Sequence, residues 1–202
     1  MSASAAFDMQ RLPGVSAGVY SSADFDAVRA LVHAEAGIVL APGKAMLVYS
    51  RLAPRVRDTG SGTFARYIER IRAEPEERRR AIDALTTNHT FFFREGHHFD
   101  HLAAKVRPGL VARADAGDPV RIWSAGCSSG EETWSIVMTL LGNDRERGRA
   151  LARRDVVVLA TDIASHALAA GRAANYPAAA LEAAPDALRR LWTTAGADGA
   201  TE

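Results

Sequence analysis

The sequence predicts an α/β protein in which a small all-helical domain precedes a partial three-layer α/β domain. Apolar residues recur at helical spacing through residues 21–90. Two short apolar runs, 120–123 and 156–160, then indicate buried strands, and a helical pattern follows each of them. This order sets the predicted boundaries: a flexible N-terminus at 1–20, the helical domain at 21–90, a connector and linker helix at 91–118, the α/β domain at 119–194 and a disordered tail at 195–202.

The predicted helical domain contains four helices joined by short connections. Ser22 or Asp24 can cap the first helix, and Gly37 can end it in the left-handed conformation. The second helix follows a turn at Pro42, and Pro75 begins the fourth. The apolar stripes of the four helices include Phe25 and Val28, Leu47 and Leu52, Tyr67 and Ile71, and Ile82 and Leu85.

The second helix carries a cluster of basic residues. Lys44, Arg51 and Arg55 are seven and four positions apart and therefore share one face, and Arg57 flanks them. Most charge runs on helices are solvated faces, which is the simpler interpretation. The alternative is a docking surface for an acidic helix.

A connector with three consecutive phenylalanines, 91–93, follows the fourth helix and fits neither helical nor strand periodicity. Asn88, Thr90 and Arg94 flank it, and these polar groups need partners if they are buried. They either cap the helix and join the domains, or they line a ligand site. The histidines that follow do not make a convincing metal site, so no metal is predicted. They are His97, His98 and His101.

Residues 120–136 have the pattern of a strand, a small-residue loop and a helix, with Gly126 and Gly130 in the loop. Such a loop can bind a nucleotide-like ligand, because glycine admits close backbone approach and the helix N-terminus presents N–H groups. A βα turn that binds nothing has a similar composition. Asp162 ends the second strand, where nucleotide-binding α/β folds place an acceptor for ribose hydroxyls.

Composition restricts the partners and the compartment. The net charge of +1 and the isoelectric point near 8.0 give no reason to expect nucleic acid binding. No apolar run has the length of a membrane span. The single Cys127 cannot form an internal disulfide, so a reducing cytoplasmic location is predicted.

Three motifs in order give a family resemblance: 85–95 (LTTNHTFFFRE), 122–136 (IWSAGCSSGEETWSI) and 160–163 (ATDI) with 170–176. Together they resemble the CheR-type chemotaxis receptor glutamate O-methyltransferases, which use S-adenosyl-L-methionine and release S-adenosyl-L-homocysteine. The similarity covers roughly residues 22–192 and implies a Rossmann-like methyltransferase domain. Thr133 and Trp134 depart from the family pattern, which usually has Pro and Tyr there.

The resemblance also implies roles for individual residues. Asn88, Thr90 and Arg94 would contact the cofactor from the connector, Glu132 would contact it after the loop, and Asp162 would take its ribose or adenosine end. The basic helix would face the acidic methylation helices of a chemotaxis receptor. Methyl transfer to an already ionised glutamate needs alignment rather than proton transfer, and Arg94 is predicted to lie closest to that chemistry.

Family members continue past Tyr176 through a small β-subdomain and a strand with an Arg-Asn pair, and the sequence holds no such stretch. We therefore expect either a fragment of a longer protein or a short form with an incomplete cofactor site. The first functional hypothesis is a protein-glutamate methyltransferase. The second is a non-catalytic receptor-binding or regulatory module, and the third, resting on the glycine loop alone, is a nicotinamide-dependent oxidoreductase.

Overall fold

The computed structural model describes residues 16, 18–86, 89–196 and 200–201. The chain divides into two compact units, Met1–Thr87 and Asn88–Glu202. The first unit is helical and the second combines helices with a parallel sheet, in agreement with the predicted α/β class.

The helical unit contains four α-helices: α1 (Ser22–Ala36), α2 (Ala45–Asp58), α3 (Phe64–Ala73) and α4 (Pro75–Leu85). A capping box begins α1, in which the Ser21 hydroxyl accepts the Asp24 N–H and the Asp24 carboxylate accepts the Ser21 N–H. The cap is therefore Ser21, one residue before the predicted Ser22. Gly37 ends the helix with φ of 67°, a left-handed conformation that glycine adopts at little cost.

The core of the helical unit is formed by the inward faces of the four helices and by Tyr20. Tyr20 is fully buried, its hydroxyl donates to the Ala45 carbonyl, and its ring lies 4.4 Å from that of Phe64. The predicted flexible lead-in, 1–20, is therefore wrong at its end, because the aromatic side chain anchors the backbone before α1. Residues 1–15 and 17 lie outside the described residues.

The second unit begins with a connector and a long helical segment. The segment consists of α5 (Gly96–His101), a π-helical turn (Leu102–Val106) and α6 (Arg107–Asp115). In the turn the Arg107 N–H bonds to the carbonyl of Leu102, five residues earlier. Pro108 follows immediately and has no N–H to continue the regular α-helical ladder.

A two-stranded parallel sheet forms the centre of the second unit. Strand β1 (Val120–Ala125) pairs with β2 (Val156–Thr161), with Val120 opposite Val156 and Ala125 opposite Thr161. Helices α7 (Glu131–Leu141) and α8 (Arg145–Ala152) connect the strands, and α9 (Ser165–Ala173) follows β2. This strand–helix–strand order confirms the predicted Rossmann-like topology and places the loops after β1 and β2 at one edge of the sheet.

One face of this sheet is uncovered among the described residues. Trp123, Val157 and Leu159 are 67%, 47% and 55% exposed, although parallel sheets are normally covered on both faces. On the other face Val120 packs in a small core with Ala114 and Leu151. Within the part of the chain that is described, every helix is too short or too polar to cross a lipid bilayer.

The segment after α9 forms a second, very small sheet. Strand β3 (Tyr176–Pro177) pairs antiparallel with β4 (Ala200–Thr201), and α10 (Asp186–Trp192) lies between them in sequence. The predicted disordered tail, 195–202, does not hold at Ala200 and Thr201, which pair with β3, and residues 197–199 and 202 lie outside the described residues. Ala200 and Thr201 are too few to show a strand pattern in the sequence. Their pairing therefore depends on the proximity of β3.

Candidate functional site

The candidate site lies where the loops after β1 and β2 meet. The Asp162 carboxylate accepts the N–H of Ser128 at 2.7 Å and that of Ala164 at 2.8 Å. The Thr161 carbonyl accepts the N–H groups of Gly126 and Cys127. Asp162 therefore fastens the loop after β1 to the end of β2.

The backbone of the loop is held in an uncommon conformation. Gly126, Ser128 and Gly130 have φ values of 75°, 50° and 94°. The left-handed conformation of Ser128 costs energy for a residue with a Cβ, and here it aims the Ser128 N–H at Asp162. Gly126 is exposed, and a Cβ built on it meets nothing within 4 Å, so its outer side is open to a ligand.

Gly130 has a different role, which is close packing. A Cβ on Gly130 would lie 2.9 Å from the Cα of Gly171 in α9 and 2.9 Å from the hydroxyl of Tyr176. Only glycine allows this approach of the loop to α9. The two loop glycines therefore differ: Gly126 lies at an open edge of the loop, and Gly130 lies at a packing contact with α9.

Glu132 lies in the first turn of α7 and is exposed. It makes no hydrogen bond or ion pair to any described residue, which leaves its carboxylate available. Its neighbour Glu131 accepts the Ser129 hydroxyl at 2.7 Å and so belongs to the loop. Glu132 thus differs from Asp162 and Glu131, whose carboxylates accept hydrogen bonds within the loops.

The connector is fixed to α7 and to β3. The Phe93 N–H donates to the Ser135 hydroxyl at 2.9 Å, and that hydroxyl donates to the Glu131 carbonyl. Phe92 is buried, with its ring edge-on to Tyr176 at 4.9 Å and 85°. The expected buried connector is present, although Phe91 is 44% exposed and only Phe92 is deeply buried.

Thr90 and Arg94 have few protein partners. Arg94 is exposed, donates to the His89 carbonyl at 2.9 Å, and lies 5.9 Å from the centre of the Phe91 ring. Thr90 is half-buried and makes no hydrogen bond within the described residues. No described contact joins either of them to Glu132 or Asp162, and Asn88 lies outside the described residues.

Comparison with known proteins gives the family. The model of the CheR methyltransferase SAM binding domain matches residues 88–202, more than half of the chain, and that of the CheR methyltransferase all-alpha domain matches residues 23–86. The chain belongs to the CheR methyltransferase family. The division between the two matches agrees with the division between the two structural units.

Chemotaxis methyltransferases from several bacteria are similar to this CheR-family chain. A probable chemotaxis protein methyltransferase of Rhizobium etli is 43% identical over 164 residues, 80% of this chain and 60% of that protein. Chemotaxis protein methyltransferase 2 of Pseudomonas aeruginosa is 41% identical over 179 residues, 88% and 60%. The Escherichia coli chemotaxis protein methyltransferase is 39% identical over 158 residues, 77% and 51%. The chain thus spans about 60% of the first two relatives' length.

The two departures from the CheR family pattern have structural partners. The Thr133 hydroxyl donates to the Ser124 hydroxyl at 2.9 Å, linking α7 to β1. The Trp134 indole N–H donates to the Gly171 carbonyl at 3.0 Å, linking α7 to α9. Both residues therefore stabilise the packing of α7 beneath the loop. Neither substitution replaces a residue that is predicted to bind the cofactor.

Arg51 and Arg55, which the sequence assigns to a docking face, are used inside the helical unit of this CheR-family chain. Arg55 pairs with the buried Glu77, which also accepts the Tyr67 hydroxyl at 2.8 Å. Burial raises the pKa of Glu77, but the hydrogen bonds from Arg55 and Tyr67 outweigh it and hold the pKa below its usual value.

Arg51 donates to the carbonyls of Leu85 and Thr86 at the end of α4. The assumption of one shared exposed face is therefore wrong for these two arginines, because the C-terminal end of α4 and a buried carboxylate attract them inward. Lys44 and Arg57 are exposed.

The single cysteine has a simple structural setting, and the predicted absence of a metal can be compared with the described side chains. The Cys127 thiol is buried in the loop, and burial together with the nearby Asp162 carboxylate raises its pKa, which keeps it protonated. The described residues contain no cluster of three or more His, Cys, Asp or Glu side chains suited to a metal ion.

Sequence reasoning missed Ser128, Ser135 and Tyr176, which hold the site together by hydrogen bonds. Each lies within one of the family motifs, but its residue type and spacing do not predict a hydrogen bond to a distant segment.

Proposed function

We propose that this chain is an S-adenosyl-L-methionine-dependent protein-glutamate O-methyltransferase that modifies a chemotaxis receptor. Family membership and the printed names of the relatives support the methyltransferase and chemotaxis parts of the proposal. The single observation that carries it is the Asp162 carboxylate, which is tied into the glycine loop at the shared edge of β1 and β2.

The residues at this edge fit the chemistry of the cofactor. A carboxylate offers about four acceptor positions, and backbone N–H groups take two on Asp162, so the others can accept ribose hydroxyls. The open side of Gly126 leaves room for a ligand against the backbone. The free Glu132 carboxylate can balance the charge of a sulfonium. Bound there, S-adenosyl-L-methionine supplies an electrophilic methyl group.

The protein's part in the reaction is to bind and to orient. A glutamate side chain is ionised near neutral pH and needs no general base. Alignment and exclusion of water by the surrounding residues can contribute about 7–11 kcal/mol in favourable cases. Arg94 has five N–H donors, one of which holds His89, and the rest can grip a substrate carboxylate or the cofactor.

The receptor-facing surface is proposed to use Lys44 and Arg57, which are exposed near the two ends of α2. Arg51 and Arg55 support the same helix from inside the unit. A reducing, cytoplasmic setting suits the buried free thiol of Cys127 and a receptor's cytoplasmic helices.

Labelled methyl transfer tests the proposal. The chain is incubated with S-adenosyl-L-methionine carrying a tritiated methyl group and with receptor-containing membranes. We expect label in the receptor that alkali releases as methanol, because a carboxyl methyl ester is base-labile. Arg94→Ala should lower the rate at least tenfold. Arg113→Ala is the control, since Arg113 is also exposed and also holds a backbone carbonyl. A folded chain that never labels receptor would contradict the proposal.

A further inference from the structure

Tyr176 connects the two segments that are proposed to hold the cofactor. Its hydroxyl donates to the Ser129 carbonyl in the glycine loop at 2.6 Å. Its ring packs edge-on against Phe92 in the connector, 4.9 Å between centres. The side chain is 7% exposed and lies at the start of β3, directly after α9.

The contact lies at a point where the loop conformation is set. Ser129 follows Ser128, whose N–H holds Asp162, and precedes Gly130, whose φ is 94°. The Tyr176 hydroxyl also lies 2.9 Å from the position that a Cβ on Gly130 would occupy. The Ser129 carbonyl shares its peptide group with the Gly130 N–H, which donates to the Cys127 carbonyl, so the Tyr176 hydroxyl holds one end of a hydrogen-bonded peptide in the loop.

We propose that Tyr176 is a positioning residue that holds the glycine loop in its ligand-ready conformation and couples it to the connector. Its relevance to S-adenosyl-L-methionine rests on the proposed function. Tyr176 does not itself reach the ligand in this proposal. It acts through Ser129 on the loop and through Phe92 on the segment that carries Arg94.

The burial of the hydroxyl favours this role. Burial raises the pKa of Tyr176 far above its ordinary value, with the Glu131 carboxylate acting in the same direction, so the hydroxyl stays a donor at every physiological pH. An uncharged buried donor needs an acceptor, and the Ser129 carbonyl is that acceptor. The Phe92 contact alone would be satisfied by phenylalanine at position 176.

The test is Tyr176→Phe, which removes one oxygen and keeps the ring packing. Tyr20→Phe is the matched control, because Tyr20 is also buried and also donates to a backbone carbonyl, but lies in the helical unit. The first readout is amide exchange of the free protein across residues 126–130. Four of these amides are hydrogen-bonded in the structure, namely those of Gly126, Cys127, Ser128 and Gly130.

We expect Tyr176→Phe to speed exchange in residues 126–130 several-fold and to weaken binding of S-adenosyl-L-homocysteine about five- to tenfold, in line with the loss of one buried hydrogen bond. Tyr20→Phe should change neither. 4-Aminophenylalanine at position 176 restores a donor and should restore both readouts. If the phenylalanine variant does not fold, this replacement decides, because its failure to behave as the wild type overturns the proposal.

Unchanged loop exchange in a folded Tyr176→Phe variant would also overturn it. Failure of the proposed function would give a different experimental result. In that case the wild type would bind no S-adenosyl-L-homocysteine, while the exchange measurement would still decide whether Tyr176 orders the loop.

Discussion

At the scale of single residues, the polar groups that matter most are those whose partners come from distant parts of the chain. Asp162 accepts the N–H of Ser128, 34 positions earlier, and Glu77 accepts hydrogen bonds from Arg55 and Tyr67. Residue type and local spacing identified Asp162 and Arg55 as candidates for function. They could not show that Arg55 faces inward, because its partner, the buried Glu77, lies on another helix and is not visible in local spacing.

The Glu77 site leads to a prediction about pH. Glu77 has a lowered pKa in the folded protein, so its contribution to stability is present above its ordinary pKa of 4.5 and is lost as the pH falls through the lower folded value. Glu77→Gln should therefore cost about 2 kcal/mol at neutral pH, and the difference from the wild type should shrink at acidic pH. Urea unfolding followed by NMR signals of α1–α4 measures both values.

Glu76→Gln is the control for this change. Glu76 is the neighbouring residue on α4, but its side chain is 72% exposed, and the described residues offer it only a surface pair with Arg79. It should cost under about 0.5 kcal/mol at either pH. A Glu77→Gln deficit that stays constant between neutral and acidic pH would show that the charge is not what stabilises the site.

At the scale of elements, apolar periodicity predicted the four N-terminal helices and the helices α7 and α9, and two continuous apolar runs predicted the parallel strands. Helix α8 was expected to be a surface connection, because its stretch of sequence is polar and rich in arginine. The parts that were missed have no periodicity to read. The burial of Tyr20 and the pairing of β3 with β4 depend on contacts between distant segments. The positive φ values of Phe93 and Ser128 are also set by the surrounding structure, since neither residue type favours that conformation.

The glycine loop provides a prediction at this scale, because its two glycines have separable roles. Gly130→Ala should destabilise the second unit by about 2–3 kcal/mol, because its Cβ would press on the Gly171 backbone and φ is positive. Gly126→Ala adds a Cβ to open space and should cost about 1 kcal/mol, from its positive φ alone. Thermal unfolding followed by tryptophan fluorescence reports on this unit, because all three tryptophans lie in it.

For affinity, in contrast to stability, we expect Gly126→Ala to have the larger effect of the two substitutions. Gly126→Ala fills the edge that is proposed to face the cofactor, so it should weaken S-adenosyl-L-homocysteine binding more than it weakens stability. Equal loss of stability in the two variants would contradict the assignment of Gly130 to packing against α9.

At the scale of the whole molecule, the two structural units coincide with the two halves of the CheR family match, and the chain spans about 60% of the length of its first relatives. Among the residues that the structure describes, the sheet face with Trp123, Val157 and Leu159 stays exposed, whereas parallel sheets normally carry helices on both faces. The fold class could be predicted from the sequence because strand–helix order is local. Cofactor binding by this chain is the property that the proposed function most needs.

Calorimetric titration with S-adenosyl-L-homocysteine tests that property most directly. Three proteins are compared: the wild type, Asp162→Ala and, as a control, Asp155→Ala. Asp155 precedes β2 as Asp162 follows it, and its carboxylate forms an exposed pair with Arg121. We predict binding of one molecule per wild-type chain, a loss of at least about tenfold in affinity for Asp162→Ala, and less than about a twofold change for Asp155→Ala. A folded wild type that binds nothing, or an Asp162→Ala variant that binds as well as the wild type, would contradict the proposed cofactor site.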